Sequence, residues 1–415
     1  MSVLSNEAKV EIRQGSNQSW ELVRNGQPMR ILGVGGTTNL ALAKQIGANS
    51  VRVWDTSQLR QKNPQGKAVL EELEQMDLTF CAGIWVEHER HGFSYLDPEK
   101  IKKQRDKVRA AVRQYRNHPQ LLLWGLGNEM EIFPGQPEAA RVWKELEELA
   151  KIVKEEDPRH PVMTVIAGAD PRKIREIMEY YPSIDILGIN AYSGAGGAGA
   201  TLKGLGWKKP FVFSEFGTAG HWEVPKTAWG APQEPTANEK AAQYYATLQA
   251  VGENKEGLCL GSYAFLWGSK QETTPTWYGM LLPGGEKLPS VDAVVKAWTG
   301  KWPTNRCPKI EALRFAENPA KPQAGKKAKV VAEVSDRDKD SLSLTWTLME
   351  ESRDIRHGGD AESVPPSFPE AVESEGASAC TITFPPPGAY RLFLVVRDGK
   401  GGASTANLPF LVEKK

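Results

Sequence analysis

A chain of 415 residues is longer than one hydrophobic core usually organises, so two domains are expected. Apolar content of 40%, charged content of 25% and a net charge of +1 exclude a disordered chain and give no basic excess to draw nucleic acid or an anionic membrane. No apolar run approaches the roughly 18 residues that span a bilayer, and Met1-Ser2-Val3-Leu4-Ser5-Asn6-Glu7 has no signal-peptide core, so a secreted or periplasmic location follows if a leader has been removed and a cytoplasmic one otherwise.

In chain order, Lys9–Ile12 and Trp20–Val23 with the Asn25-Gly26 turn predict a β-hairpin that caps the bottom of the next domain. Eight apolar runs then alternate with helical stretches. The runs are Arg30–Gly35, Ser50–Asp55, Leu78–Glu87, Leu121–Glu129, Pro161–Ala167, Ile184–Tyr192, Pro210–Glu215 and Cys259–Trp267. Most lack polar alternation, as strands buried on both faces do in a parallel sheet wrapped by helices. The helices between them include one opening at Asp97-Pro98, one over Gln136–Glu156 and one opening at Asp170-Pro171, with Pro289–Thr299 closing the series. An aspartate followed by proline supplies an N-cap and a preset first turn. Eight strand–helix units over about 270 residues predict a (β/α)8 TIM barrel. The glycine-rich stretch Gly194–Gly199 lacks phosphate-loop spacing and reads as a flexible loop before a weak helix near Thr201–Leu205.

After Trp302-Pro303-Thr304-Asn305-Arg306-Cys307-Pro308 helical periodicity stops, and short alternating strands separated by turns predict an immunoglobulin-like β-sandwich. The expected division is residues 1–305, a catalytic barrel with its hairpin, and 306–415, an all-β sandwich. The Asp336-Arg337-Asp338-Lys339-Asp340 turn, Trp346 and the ending Val396-Arg397-Asp398-Gly399 resemble sandwich modules of the polycystic-kidney-disease type. The three aspartates could offer oxygens to calcium, but no EF-hand glycine or glutamate follows, so a solvated turn is expected. Cys81, Cys259, Cys307 and Cys380 fit neither a metal motif nor a disulfide framework, and no metal or organic cofactor is expected.

Two glutamates carry the chemistry. The fourth run delivers Gly127-Asn128-Glu129 and the seventh delivers Ser214-Glu215-Phe216-Gly217. Carboxylates at the C-terminal ends of barrel strands sit where such folds place catalysis. A glycosidic oxygen is a poor leaving group that needs a proton as its bond breaks, and the oxocarbenium-like carbon needs a carboxylate on its other face. Separated by about 5–5.5 Å, two such groups cleave with retention. The bland alternative, two structural ion-pair carboxylates, finds no lysine or arginine beside either strand end.

The segment Asn117–Glu129 resembles the acid/base signature of clan A retaining glycoside hydrolases, closest to the family 2 barrel. Asn25-Gly26-Gln27-Pro28 leading into Leu32-Gly33-Val34, Asp185–Tyr192 and Lys209–Gly217 resemble its entry hairpin, sixth strand and nucleophile strand, in that order. The resemblance covers about Trp20 to Trp302. It implies Glu129 as acid/base, Glu215 as nucleophile, Asn128 as a bond to the sugar 2-hydroxyl, and Arg52 as the cation on the nucleophile. Tyr192 is expected to donate to Glu215 and Trp267 to floor the sugar site. Trp85 and Glu87 at the end of the third run, with His88 and His91 just past it, lie within reach of a sugar. The aromatics Trp222, Trp229, Trp277 and Tyr278 follow the seventh and eighth strands and, among 13 Trp in all, suggest a polysaccharide cleft.

Family 2 enzymes usually carry a sandwich before the barrel, which this sequence does not show. A lone barrel with a trailing sandwich is similar in architecture to endo-β-1,3-glucanases of family 158, so an endo-acting β-glucanase on an oligo- or polysaccharide is expected. An exo-β-glycosidase of family 2 type, a glucanosyltransferase resembling families 17 and 72, and a non-catalytic glycan-binding protein are the alternatives. Linkage, sugar and oligomeric state have no signature in the sequence.

Overall fold

The hairpin expected at the start is a three-stranded antiparallel sheet, in which β1 (Val10–Gln14) pairs with β2 (Trp20–Arg24) and β2 with β3 (Gln27–Met29). Asn25 and Gly26 hold positive φ of 50° and 79°, as a tight hairpin turn requires, and so join β2 to β3. The sequence pattern misses β3 because it is three residues long and holds Pro28, which cannot donate to a ladder. Val10 and Leu22 share a buried cluster with Ile31, Leu122, Val212 and Leu260, each the first or second residue of a strand in the next domain, so this sheet closes their N-terminal end. The computed structural model describes residues 8–15, 19–130, 139–193, 195–317, 322–376 and 378–414; Met1–Glu7, the expected helix start at Gln136 and Gly194 lie outside them.

Eight parallel strands form a closed barrel: β4 (Ile31–Gly35), β5 (Ser50–Val53), β6 (Thr79–Ile84), β7 (Leu121–Leu126), β8 (Val162–Ala167), β9 (Ile186–Asn190), β10 (Phe211–Phe216) and β11 (Cys259–Ala264). β10 pairs with β9 on one side and β11 on the other, and β11 pairs with β4 to complete the ring. Every residue of β6, β7, β10 and β11 is buried, which is why these runs show no polar alternation. The helices following the strands are α1 (Leu40–Gln45), α2 (Val69–Gln75), α3 (Pro98–Tyr115), α4 (Ala139–Glu156), α5 (Pro171–Tyr180), α6 (Ala198–Gly204), α7 (Ala237–Glu253) and α8 (Pro289–Thr299). Asp97 and Asp170 each accept two backbone N–H groups at the starts of α3 and α5, the capping expected of the Asp-Pro pairs. The glycine-rich stretch is not a flexible loop over its described residues: Ala195–Gly197 forms a 3-10 turn that runs into α6. Ala198, Gly199 and Leu202 bury one face of that helix, and a Cβ on Gly199 would lie 2.6 Å from Glu256 Oε2, so the glycine is there for close packing.

The C-terminal strands form a two-sheet antiparallel sandwich. β12 (Lys309–Phe315), β13 (Lys327–Ser335), β16 (Ala379–Thr383) and β15 (Val372–Glu375) make one sheet in the order 12-13-16-15; β14 (Ser343–Glu350), β17 (Gly388–Arg397) and β18 (Ala403–Val412) make the other. Val330, Cys380 and Ile382 from the first sheet and Leu348, Leu392 and Phe410 from the second fill the core between them. Trp346 packs against this core, half-buried. The chain divides into two compact units, one of Met1–Phe216 with Gln249–Phe265, the other of Gly217–Leu248 with Leu266–Lys415. The second unit therefore includes the long segments that follow β10 and β11. Within it Arg391 Nη2 donates to Pro232 O at 2.8 Å and Asn407 Nδ2 to Glu234 Oε2 at 2.7 Å, tying sandwich strands to the segment after β10.

Asp336, Asp338 and Asp340 bring carboxylate oxygens within 4.8 Å of one another. Protein donors occupy one oxygen of each: Asp336 Oδ1 accepts the N–H groups of Asp338 and Asp340, Asp338 Oδ2 accepts that of Arg306, and Lys400 pairs with Asp340 Oδ1 at 2.5 Å, while Asp336 Oδ2 and Asp340 Oδ2 are buried without a hydrogen-bond partner among the described residues. Cys81, Cys259, Cys307 and Cys380 are all buried free thiols.

Candidate active site

Strand β7 runs straight into Gly127-Asn128-Glu129, and the backbone there turns sharply. Gly127 has φ of 72° and Glu129 has φ of 49°. For a glutamate the left-handed conformation costs about 1–3 kcal/mol and persists only where surroundings enforce it. Glu129 N is anchored on Val165 O of β8 at 3.0 Å, and its Oε1 accepts Asn190 Nδ2 from the end of β9 at 2.8 Å. Burial first, and the charge of Glu215 second, push the Glu129 carboxyl up to about 7, against smaller opposing effects of the Asn190 bond and the cations Lys173 and Arg52.

Glu215, on β10, is 5% exposed and accepts three donors. Arg52 Nη1 of β5 reaches Oε1 at 2.8 Å, Trp54 Nε1 reaches the same oxygen at 2.9 Å, and Tyr192 OH reaches Oε2 at 2.9 Å. Arg52 is itself buried. It also donates through Nη1 to Ser214 O at 2.9 Å and through Nη2 to Asn128 Oδ1 at 2.7 Å, while its guanidinium lies 5.1 Å from the centroid of the Trp54 ring. One arginine thus joins the strand ends of β5, β7 and β10. Asn128 Oδ1 takes a second donor, Asn190 Nδ2, at 3.2 Å, and Ser214 Oγ donates to Asn190 Oδ1 at 2.8 Å. With Oδ1 committed to two N–H donors, the amide of Asn128 has one orientation and keeps Nδ2 as a donor.

Glu129, Glu215, Arg52, Asn128 and Tyr192 therefore come together at one end of the barrel. Trp54, Asn190 and Ser214 complete the network, though the sequence reading gives them no role in the site. A signal for Trp54 existed: it lies two residues past Arg52 at a strand end, on the same side of an extended backbone. Among the third-strand candidates, Trp85 is half-buried and its backbone N–H donates to Asp55 Oδ2 at 3.2 Å. His88 is 2% exposed, its ring 5.2 Å from Trp85 and 5.5 Å from His91, and its Nδ1 2.5 Å from Arg90 Nη1. Glu87 and His91 line a cavity against α3.

The remaining candidates lie in the second unit. Trp222 and Trp229 are exposed there. Trp267, Trp277 and Tyr278 are buried, so the last two are not the exposed rim aromatics expected of them. Trp277 Nε1 is satisfied by Ala219 O at 3.0 Å and its ring lies beside His221, while Tyr278 OH accepts the His221 N–H at 3.4 Å. Their flat faces are spent on packing.

A closed (β/α)8 barrel here carries two neighbouring buried glutamates at the ends of its fourth and seventh strands, the end at which barrels of this kind place their chemistry. Residues 20–223 match the family described as glycosyl hydrolases family 2, TIM barrel domain. No curated protein matches the chain by sequence. Among solved structures the chain is similar to a β-glucuronidase of Bacteroides uniformis, at 15% identity over 97% of this chain and 48% of that one, with a TM-score of 0.52. It is similar also to a β-D-glucuronidase of Dictyoglomus thermophilum, at 15% identity over 71% of this chain and 54% of that one, TM-score 0.53. A family 2 β-galacturonidase of Eisenbergiella tayi, bound to galacturonate, shares 17% identity over 71% and 54%, TM-score 0.50. At these identities the likeness is one of fold, and the chain spans about half the length of these structures.

Proposed function

We propose that this protein is a retaining exo-β-glycosidase of the family 2 type, with residues 1–305 carrying the reaction and residues 306–415 forming an immunoglobulin-like packing module. The observation that supports it most is the asymmetry of the two glutamates. Glu215 accepts three donors, including a buried guanidinium, which fix both of its oxygens in place. Glu129 is held up to about 7 and keeps its proton near neutral pH. A carboxylate and a carboxylic acid side by side are the nucleophile and the acid of double displacement.

In the first step Glu129 gives its proton to the glycosidic oxygen as the bond to the anomeric carbon breaks. A carboxylate oxygen of Glu215 bonds to that carbon; Oε2, with one donor against two on Oε1, is the freer oxygen. Asn128 Nδ2 is available to the sugar 2-hydroxyl. In the second step Glu129, now ionised, takes a proton from water, whose oxygen displaces Glu215 and restores both groups. Configuration is retained after two inversions.

The family 2 match over the barrel favours exo action over the endo-β-1,3-glucanase reading, which rests on architecture alone. Time-resolved product analysis on a β-linked oligosaccharide separates them: stepwise release of single sugars supports exo action, and mid-chain products reject it. Glu129→Gln and Glu215→Gln should each lower turnover by several orders of magnitude without unfolding the protein. Glu129→Ala should retain activity on aryl glycosides whose leaving groups need no proton, and Glu215→Ala should not. Equal losses on such a substrate would reverse or void the assignment. NMR of the first-formed anomer tests retention directly.

A further inference from the structure

We propose that the cavity between the end of β6 and helix α3 binds an anionic substituent of the glycan, a carboxylate or a sulfate on a sugar. That the ligand is a glycan rests on the glycosidase reading; that it is an anion rests on the cavity. The space is about 370 Å³, and one wall is a single face of α3 bearing Lys100, Lys103, Gln104 and Lys107, spaced three and four residues apart. The opposite wall comes from the segment after β6, with Glu87 its carboxylate and Phe93 a flat apolar surface. Three ammonium groups face one carboxylate, so the concavity carries an excess of positive charge, and a cleft of one sign focuses its field on what enters.

Two of the three cations are not consumed by the protein. Lys107 is the paired one: its Nζ donates to Trp85 O at 3.3 Å and lies 3.7 Å from Glu87 Oε1 and 3.9 Å from Asp55 Oδ2. Lys100 Nζ donates once, to Gly92 O at 3.1 Å, which leaves two N–H donors. Lys103 has no hydrogen bond or ion pair among the described residues. The floor adds a fixed polar group. Gln104 is 4% exposed and gives its Oε1 to Glu87 N at 2.9 Å, which sets the amide's orientation and leaves Nε2, beside the Tyr95 hydroxyl, as the donor on this wall. Phe93 packs edge-on against Tyr95, ring centroids 4.8 Å apart, and so holds its surface still for a sugar ring. The Trp85 backbone N–H, two residues before Glu87, donates to Asp55 Oδ2, and Asp55 follows the Trp54 that holds Glu215.

Isothermal titration of the full chain carrying Glu215→Gln tests this without turnover. The titrants are sodium sulfate, a neutral β-linked oligosaccharide, and the same oligosaccharide bearing a uronate or a sulfate ester. The charged sugars should bind about tenfold more tightly than the neutral parent. That advantage should shrink as salt is raised, and should vanish when Lys100→Gln and Lys103→Gln are combined. Which charged sugar wins identifies the anion. Both lysines are exposed and glutamine keeps the helix propensity, so the fold, checked by circular dichroism, should stand. Equal affinity for charged and neutral sugars, a charge advantage untouched by the double variant, or binding of free sulfate with no preference among the sugars would each overturn the proposal. Intact charge-selective binding in a wild-type protein that hydrolyses no glycoside would instead reject the glycosidase reading and leave the anion site standing.

Discussion

The indole of Trp54 donates to Oε1 of Glu215 at 2.9 Å, beside the Arg52 guanidinium at 2.8 Å on the same oxygen. The two donors come from one strand end and hold the carboxylate from one side, while Tyr192 holds the other oxygen. A carboxylate fixed in this way needs no reorganisation when it bonds to carbon. Trp54→Phe keeps the ring and removes the donor. It should lower kcat by about tenfold or more, with KM changed little, because the bond orients the reacting group rather than binding sugar. Steady-state kinetics on an aryl glycoside measure this. An unchanged kcat would mean that Arg52 and Tyr192 suffice.

In the proposed reaction Glu129 sets the alkaline side of the pH profile. Its acid form is required, so kcat/KM should fall as pH rises through about 7. Glu215→Gln removes the neighbouring charge and should move the Glu129 titration downward but short of the ordinary glutamate value, because burial is the larger cause. Stability follows the same sign. A carboxyl raised by folding binds its proton more tightly in the native state, so its contribution is complete below the unfolded value near 4.5 and is lost as pH climbs to about 7. Thermal melts across that window should show the wild type losing Tm relative to Glu129→Gln. Parallel curves would contradict the raised value.

Gly83, in β6, lets two strand backbones approach. A Cβ there would lie 2.2 Å from Val53 O and 2.4 Å from the Trp54 carbonyl carbon. Gly83→Ala should cost about 1–3 kcal/mol of stability through overpacking. Because the obstructed atoms belong to the backbone of Val53 and Trp54, activity should fall further than Trp54→Phe alone reduces it. Chemical denaturation with parallel kinetics separates the two effects; a destabilised but fully active variant would show that the strain relaxes elsewhere.

Arg391 is buried in the sandwich, with three donors on Glu351, Asn407 and the Pro232 carbonyl. Arg391→Met removes the partner of Glu351, a side chain only 10% exposed, and leaves a buried charge unmatched. The loss should be about 3–5 kcal/mol, read as a fall in Tm. Arg391→Met with Glu351→Met should recover most of it. Removal of everything after Pro303 should be harsher than loss of a spacer, because Glu234 and Pro232, on the segment after β10, give up Asn407 and Arg391. Circular dichroism and thermal melts of the truncated chain check this.

Much of this architecture is written in short-range pattern. Apolar runs without alternation mark β7 and β10, and Asp-Pro pairs mark the starts of α3 and α5, because burial on both faces and capping act within a few residues of chain. Glu129 and Glu215 were legible for the same reason: each ends such a run. The network around them was not. Trp54 and Glu215 lie 161 residues apart, Arg52 and Asn128 76, and no local periodicity encodes a hydrogen bond that exists only once eight strands close into a ring. Closure likewise turned the glycines near Ala198 into a packed helix, by bringing Glu256 against Gly199. It was folding, too, that buried Trp277 and Tyr278, whose aromatic character reads equally well as sugar platform or as core until their neighbours are in place.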